Sequence, residues 1–172
     1  MRRSVSLLLV AVLMLTATQA IAQGQSELAE ARQATAGFHR VGDAEAAGYA
    51  STLDTLGCFE NPGVGGMGLH YLNGSILDGT PQANAPEALV FEMRPNGKLK
   101  LVGLEYIVPV DAWTGEMPPS LFGRHFHQHP TLPLWVLHAW VWKPNPSGMF
   151  QDWNPNVAVC PDDVPVFGVD LP

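Results

Sequence analysis

The stretch that decides the fold is Ala88-Leu89-Val90-Phe91-Glu92-Met93-Arg94-Pro95-Asn96-Gly97-Lys98-Leu99-Lys100-Leu101-Val102-Gly103-Leu104-Glu105-Tyr106-Ile107-Val108. Residues 88–94 and 99–108 are apolar and rich in strand formers. They flank Asn96-Gly97, a pair favoured in tight hairpin turns because both residues tolerate positive φ. The segment therefore predicts an antiparallel hairpin. With Asn96-Gly97 as a two-residue turn, Arg94 faces Leu99, Glu92 faces Leu101 and Glu105 faces Ala88. Both glutamates then share one sheet face, but four residues apart along the strands, about 13 Å. Acid/base carboxylate pairs in glycosidases lie about 5–9.5 Å apart, so these two do not form such a pair. Either one alone can ligate a metal or balance a cation.

Working outward, residues 67–72, 124–128 and 134–143 are further strand candidates, the last being the most apolar and aromatic. Extended, it places Val136, His138, Trp140 and Trp142 on one face and Trp135, Leu137, Ala139 and Val141 on the other. A strand apolar on both sides is central or sandwiched between layers. All 15 prolines lie from Pro62 onward. The proline-free segment reads as helical. Over 26–38, Ser26 is a candidate cap and Leu28, Ala31, Ala34 and Phe38 form an apolar stripe. Asp43 is a candidate cap for a second helix, Ala44 to Ala50. The tail from Pro144 is loop-rich, with turns at Asn145-Pro146-Ser147-Gly148 and Trp153-Asn154-Pro155. The expected class is α+β: N-terminal helices followed by a mainly antiparallel β-sheet in a single domain.

Composition sets the outer bounds. The chain has 172 residues, 47% of them hydrophobic and only 15% charged, too apolar for a disordered chain. With 9 Lys+Arg against 16 Asp+Glu, the net charge of -7 removes the electrostatic drive for nucleic-acid binding. Residues 1–22 read as a secretory signal: Arg2 and Arg3 precede the apolar run Val5 to Leu15, and Ala20-Ile21-Ala22 is a small-residue cleavage site. That run is short for a membrane span of about 20 residues, and no later stretch matches it. The expected organisation is a signal over 1–22 and one exported domain over 23–172, periplasmic or extracellular, with no membrane span after cleavage. In an oxidising compartment Cys58 and Cys160 are expected to form one structural disulfide, with a thiolate or metal-ligand role as the alternative.

Several motifs fail for lack of context. Gly63-Val64-Gly65-Gly66-Met67-Gly68 matches G-x-G-x-x-G. A dinucleotide site, however, needs a strand before the motif and a helix after it. Here Asn61-Pro62 precedes and the strand-like Leu69-His70-Tyr71-Leu72 follows, so the motif reads as a glycine-rich turn. There is no G-x-S-x-G, P-loop or H-E-x-x-H.

Histidine placement carries the clearest chemistry. Of 6 histidines, His125, His127, His129 and His138 fall close together. On an extended strand His125 and His127 share a face about 6.8 Å apart, and two imidazoles at that spacing can converge on one ion at about 2.0–2.1 Å. His129 is separated from them by a further strand step, and Pro130 ends the strand. The candidate metal set is therefore His127 and His138, with His125 or His70 as the further member. Imidazole ligands suit a transition metal such as zinc or copper. A polar structural cluster and acid/base catalysis are the competing readings of the same residues. A cupin site also uses H-x-H on a strand, but it wants a later glutamate and none follows Glu116.

Gly65-Gly66-Met67-Gly68-Leu69-His70-Tyr71, Gly103-Leu104-Glu105-Tyr106, Leu137-His138-Ala139-Trp140-Val141-Trp142, Asn145-Pro146 and Trp153-Asn154-Pro155, in this order, resemble an uncharacterised family of exported bacterial proteins. The resemblance covers most of the mature chain, including Ala34 to Tyr49 and both cysteines. It implies export and a single domain, and it carries no activity, cofactor or catalytic residue with it.

The functional expectation is an exported protein that binds a transition-metal ion or small ligand through its histidine cluster. The alternatives are a metal-dependent enzyme and a structural or partner-binding module without metal. Cleavage after Ala22 is expected to leave Gln23 as the first residue of the exported protein, with or without cyclisation. Intact-mass measurement checks it; a membrane-bound chain that still begins at Met1 would refute it.

Overall fold

The computed structural model describes residue 19 and residues 21–167. The expected signal segment therefore lies outside the described residues apart from positions 19, 21 and 22. Helix α1 covers residues 21–35 and runs into a 3-10 turn at Ala36–His39. Leu28, Ala31 and Thr35 form its buried stripe. Ser26, expected as a cap, sits inside this helix, and Ala34 faces solvent. Helix α2 is Val41–Ala46, beginning earlier than Asp43 would allow as a cap. Asp43 instead occupies the first turn, where its carboxylate lies 2.6 Å from Arg40 Nη2. A one-turn helix α3, Leu53–Leu56, follows the two-residue strand β1, Ala50–Ser51.

The body is an antiparallel sheet of β2 (Cys58–Asn61), β3 (Gly65–Leu72), β4 (Ala88–Met93), β5 (Leu99–Pro109), β8 (His127–Gln128) and β9 (Leu134–Ala139), with β1 at one edge. The order is β1-β3-β4-β5-β9-β8, and β2 lies along the same outer edge of β3 as β1. Two further short strands, β6 (Ser120–Leu121) and β7 (Arg124–His125), form a separate hairpin. The result is a single α+β domain with helices followed by a mainly antiparallel sheet. Among the described residues no helix is long and apolar enough to cross a membrane.

The central hairpin departs from the expected register in an instructive way. Arg94 N donates to Lys98 O, so the turn holds three residues, Pro95-Asn96-Gly97, with Gly97 at φ 73°. That moves the register by one, and Glu92 faces Lys100 rather than Leu101. Val102 then bulges out of the ladder between the pairs Phe91–Leu101 and Val90–Gly103, which moves the register back. Glu105 consequently does face Ala88. The 134–143 candidate also ends early: after Ala139 the chain turns, and Trp142 N donates to Val102 O at the bulge. Trp142 therefore leaves the face expected for it and packs on the helix side, its indole N–H donating to Thr35 Oγ1 at 3.1 Å.

The sheet has two dissimilar faces. Leu89, Phe91, Leu104, Tyr106, Val108 and Leu137 turn toward the helices and make the main core with Leu28, Ala31 and Ala44. On the other face Val90 and Trp140 pack with Phe59 and Met67, and Ala88, Ile107 and Val136 form a second apolar group. The glycine-rich turn feeds β3, and Gly68 is required there. At φ 92°, a Cβ would sit 2.4 Å from the Phe91 carbonyl oxygen. The tail closes over this second face, held by a Cys58–Cys160 disulfide and by hydrogen bonds from Cys58 N to Pro165 O and from Phe167 N to Cys58 O.

Two stability predictions follow from this arrangement. The disulfide links residues 102 apart, and closing a loop of that length contributes about 4–5 kcal/mol in the chain-entropy model. The C58S/C160S double variant should lose roughly 10–15 °C in Tm by calorimetry; an unchanged Tm would remove the tail's anchoring role. The second concerns Glu87, whose carboxylate is buried at the start of β4 and accepts from Ile107 N at 2.9 Å. Burial pushes its pKa up to about 8, although backbone hydrogen bonds oppose the rise. Because the folded protein holds this proton more tightly than the unfolded chain, the contribution is complete below about 4.5 and lost as pH rises through about 8. Denaturant titrations should show Glu87→Gln gaining on wild type as pH rises through that window, by up to about 1.4 kcal/mol per pH unit. A pH-independent difference would show that Glu87 is ionised in the fold.

Candidate metal centre

The second sheet face carries a chain of five titratable side chains running inward from the surface. His127 Nε2 lies 3.1 Å from Asp152 Oδ2, and Asp152 Oδ1 lies 3.3 Å from His138 Nδ1. On the far side of the same ring, His138 Nε2 is 3.7 Å from Glu105 Oε1, and Glu105 Oε2 is 3.3 Å from His70 Nε2. His127 is half exposed at its side chain, whereas His138, Glu105 and His70 are buried.

Sheet register explains the inner three. Glu105 on β5 is the direct cross-strand partner of His138 on β9, so their side chains leave the same face. His70 is on β3, two strands from β5, a spacing of about 10 Å. The intervening strand presents Ala88 opposite Glu105 and Val90 opposite His70. The short Ala88 side chain leaves the space over β4 through which His70 and Glu105 approach. Asp152 arrives from the tail, where Trp140 donates its indole N–H to Gln151 O at 2.5 Å and fixes the neighbouring residue.

The charges follow from burial and neighbours. Burial, reinforced by the His138 charge, holds His70 neutral, with its pKa pushed down to about 3. Burial raises the Glu105 carboxyl, and His138 works against that rise. For His138 burial favours the neutral ring, but Glu105 and Asp152 outweigh it and the pKa ends above the ordinary value. A hydrogen bond to Asp152 raises His127, and Asp152 is held well below the usual carboxylate range by the two histidines despite its own burial.

His70, Glu105 and His138 each bring a donor atom within 4.8 Å of the other two, so the group could hold a metal ion. Glu105 turns one carboxylate oxygen to each imidazole, Oε2 to His70 Nε2 at 3.3 Å and Oε1 to His138 Nε2 at 3.7 Å. His138 also has the arrangement typical of a metal-binding imidazole, one nitrogen toward the donors and the other against a carboxylate. Its Nε2 is buried without a hydrogen-bond partner, as is His70 Nδ1 on the opposite side of that ring from Glu105. His70 thus lacks the outer partner that His138 has.

The cluster lines a cavity of about 230 Å³. Its other walls are mostly apolar, including Phe59, Leu77, Ile107, Leu132, Val136 and Phe167, while His127, His129 and Asp152 add polar groups.

The structure brings together three of the four histidines singled out from the sequence. His127 and His138 meet through Asp152, and His70 joins His138 through Glu105. His125 stays outside. The 124–128 segment is not one strand: Arg124–His125 pairs with β6, His127–Gln128 pairs with β9, and Phe126 is buried between them. His125 is exposed, its Nδ1 3.3 Å from the Pro118 carbonyl oxygen. Two further members of the cluster were less visible. Glu105 was readable as a lone carboxylate in an apolar strand, and Asp152 gave no signal beyond its place before Trp153-Asn154-Pro155.

Comparison with family models, with curated proteins and with solved structures finds no match to this chain.

Proposed function

We propose that this protein binds a transition-metal ion through His70, Glu105 and His138, leaving a coordination position open toward the cavity. The observation that carries the proposal is the buried Nε2 of His138, which makes no hydrogen bond, beside a buried carboxylate and a neutral imidazole. An unsatisfied buried nitrogen costs about 1–3 kcal/mol, and a metal ion is the partner that this donor set suits. A module in which the histidines served only packing would satisfy both ring nitrogens and close the space beside them. Two imidazoles and one carboxylate suit Zn²⁺ with water or a small ligand in the fourth place. The hard carboxylate donor favours zinc over copper(I). The disulfide fits an oxidising compartment, in keeping with an exported domain over residues 23–172 in the periplasm or outside the cell.

A metal-dependent enzyme is the second reading, and one observation favours it. Asp152 and His127 line the same cavity, as an ion pair able to take or give a proton. No substrate is implied by that pair alone.

Elemental analysis of the purified mature protein should find about one equivalent of transition metal, or uptake of one equivalent of zinc on titration. His138→Ala and Glu105→Gln should each abolish high-affinity uptake. Asp152→Asn, which removes the carboxylate orienting His138, should weaken uptake about 10–100-fold, while His125→Ala should match wild type. Absence of bound metal above background in wild type, or unchanged affinity in His138→Ala, would overturn the proposal.

A further inference from the structure

The ligand that shares this cavity with the ion can be specified further from its size, walls and charge, on the basis of the metal reading above. We propose that the cavity takes a small monocarboxylate with an apolar body, its carboxylate at the His70–Glu105–His138 cluster and its hydrocarbon part against the apolar walls.

Size excludes most alternatives. Pockets for drug-sized molecules run from about 300 to 1,000 Å³, and this one is about 230 Å³. A six-carbon acid meets that limit, and a long-chain fatty acid does not.

The walls fix the body of the ligand. Phe59, Ile107, Val136 and Phe167 offer no hydrogen bonds there, so a sugar or amino acid would strand its polar groups against hydrocarbon. Among the lining residues the buried ionisable side chains are His70, Glu105 and His138, which suits a ligand with a single charged head.

Charge fixes the head. A divalent ion held by Glu105 and two neutral imidazoles leaves one positive charge, and the adjacent Asp152–His127 ion pair adds none. A monoanion neutralises that charge, and a carboxylate oxygen is a suitable occupant for the open position. A neutral alcohol of the same length leaves the charge in place. A dicarboxylate would set its second charge against apolar walls.

The test is calorimetric titration of zinc-loaded mature protein with acetate, hexanoate, hexanol and hexadecanoate, with zinc content measured before and after each run. Hexanoate should bind at one site, at least 100-fold tighter than acetate, as expected from about fourfold per buried methylene. Hexanol should bind at least tenfold more weakly than hexanoate, and hexadecanoate should not enter. Leu132→Trp, which fills the cavity from the loop between β8 and β9, should lose hexanoate binding while zinc content stays at one equivalent. Equal affinities for acetate and hexanoate would show that the apolar walls take no part. Equal affinities for hexanol and hexanoate would remove the role of charge; either equality overturns the inference, and the wild-type series decides without the variant. Protein that takes up no zinc fails at the metal measurement, which marks failure of the metal reading itself, and this inference falls with it. Normal zinc content with no hexanoate binding rejects the carboxylate alone.

Discussion

Glu105 sits in the apolar stretch 101–108 of its strand, with 7% of its surface exposed. An isolated ionised carboxylate in such a place costs far more than any single packing contact returns, so it must be paired or protonated. The surrounding fold meets that demand. His138 faces Glu105 across the ladder, His70 reaches it over Ala88, and the tail brings Asp152 to the far side of His138. Remove Glu105 from this arrangement and two histidines are left buried beside each other with only Asp152 for compensation. The alternation of acidic and basic groups from His127 inward is therefore a requirement of burial before it is a feature of function.

The same demand explains why the register of the central hairpin matters. A one-residue slip sends every side chain to the other face of the sheet. The three-residue turn at Pro95-Asn96-Gly97 introduces such a slip, and the bulge at Val102 cancels it before Glu105 is reached. The pairing of Glu105 with Ala88 was legible in the sequence only because two departures from ideal geometry offset one another. Glu92, on the turn side of the bulge, shows the uncorrected register: it faces Lys100 and is paired with Lys143. Turn length is set by how Pro95 starts the turn and Gly97 ends it at positive φ. An Asn-Gly pair alone does not distinguish two residues from three.

Class and element order were legible because hydrophobic period and proline placement are local. The candidate site was legible only where its residues lie on long strands. His70 and His138 are on β3 and β9, whose apolar neighbours mark the faces. His125 misled because strict alternation assumes one continuous strand, whereas burial of Phe126 divides the segment between two sheets. Asp152 was invisible because its position depends on a tail that docks across the sheet through contacts remote in sequence. Trp140 to Gln151 and Asn154 to Gly66 are such contacts, and no periodicity records them.

The open cavity sets a final constraint on the tail. At about 24 cal/mol per Å³, filling a closed void of about 230 Å³ would stabilise the fold by about 5.5 kcal/mol, an upper bound for this open one. The Cys58–Cys160 bond offers a similar amount, about 4–5 kcal/mol, and acts on the same part of the molecule. Cys58 begins β2, whose next residue, Phe59, stacks on Phe167 of the tail with centroids 4.5 Å apart, and both rings line the cavity. A covalent link at this point holds the wall in place without filling the space behind it. A larger apolar core would supply comparable stability only by closing the position beside His70, Glu105 and His138. The disulfide and the cavity are thus two sides of one arrangement, in which cross-linking stabilises a fold whose second face is kept hollow.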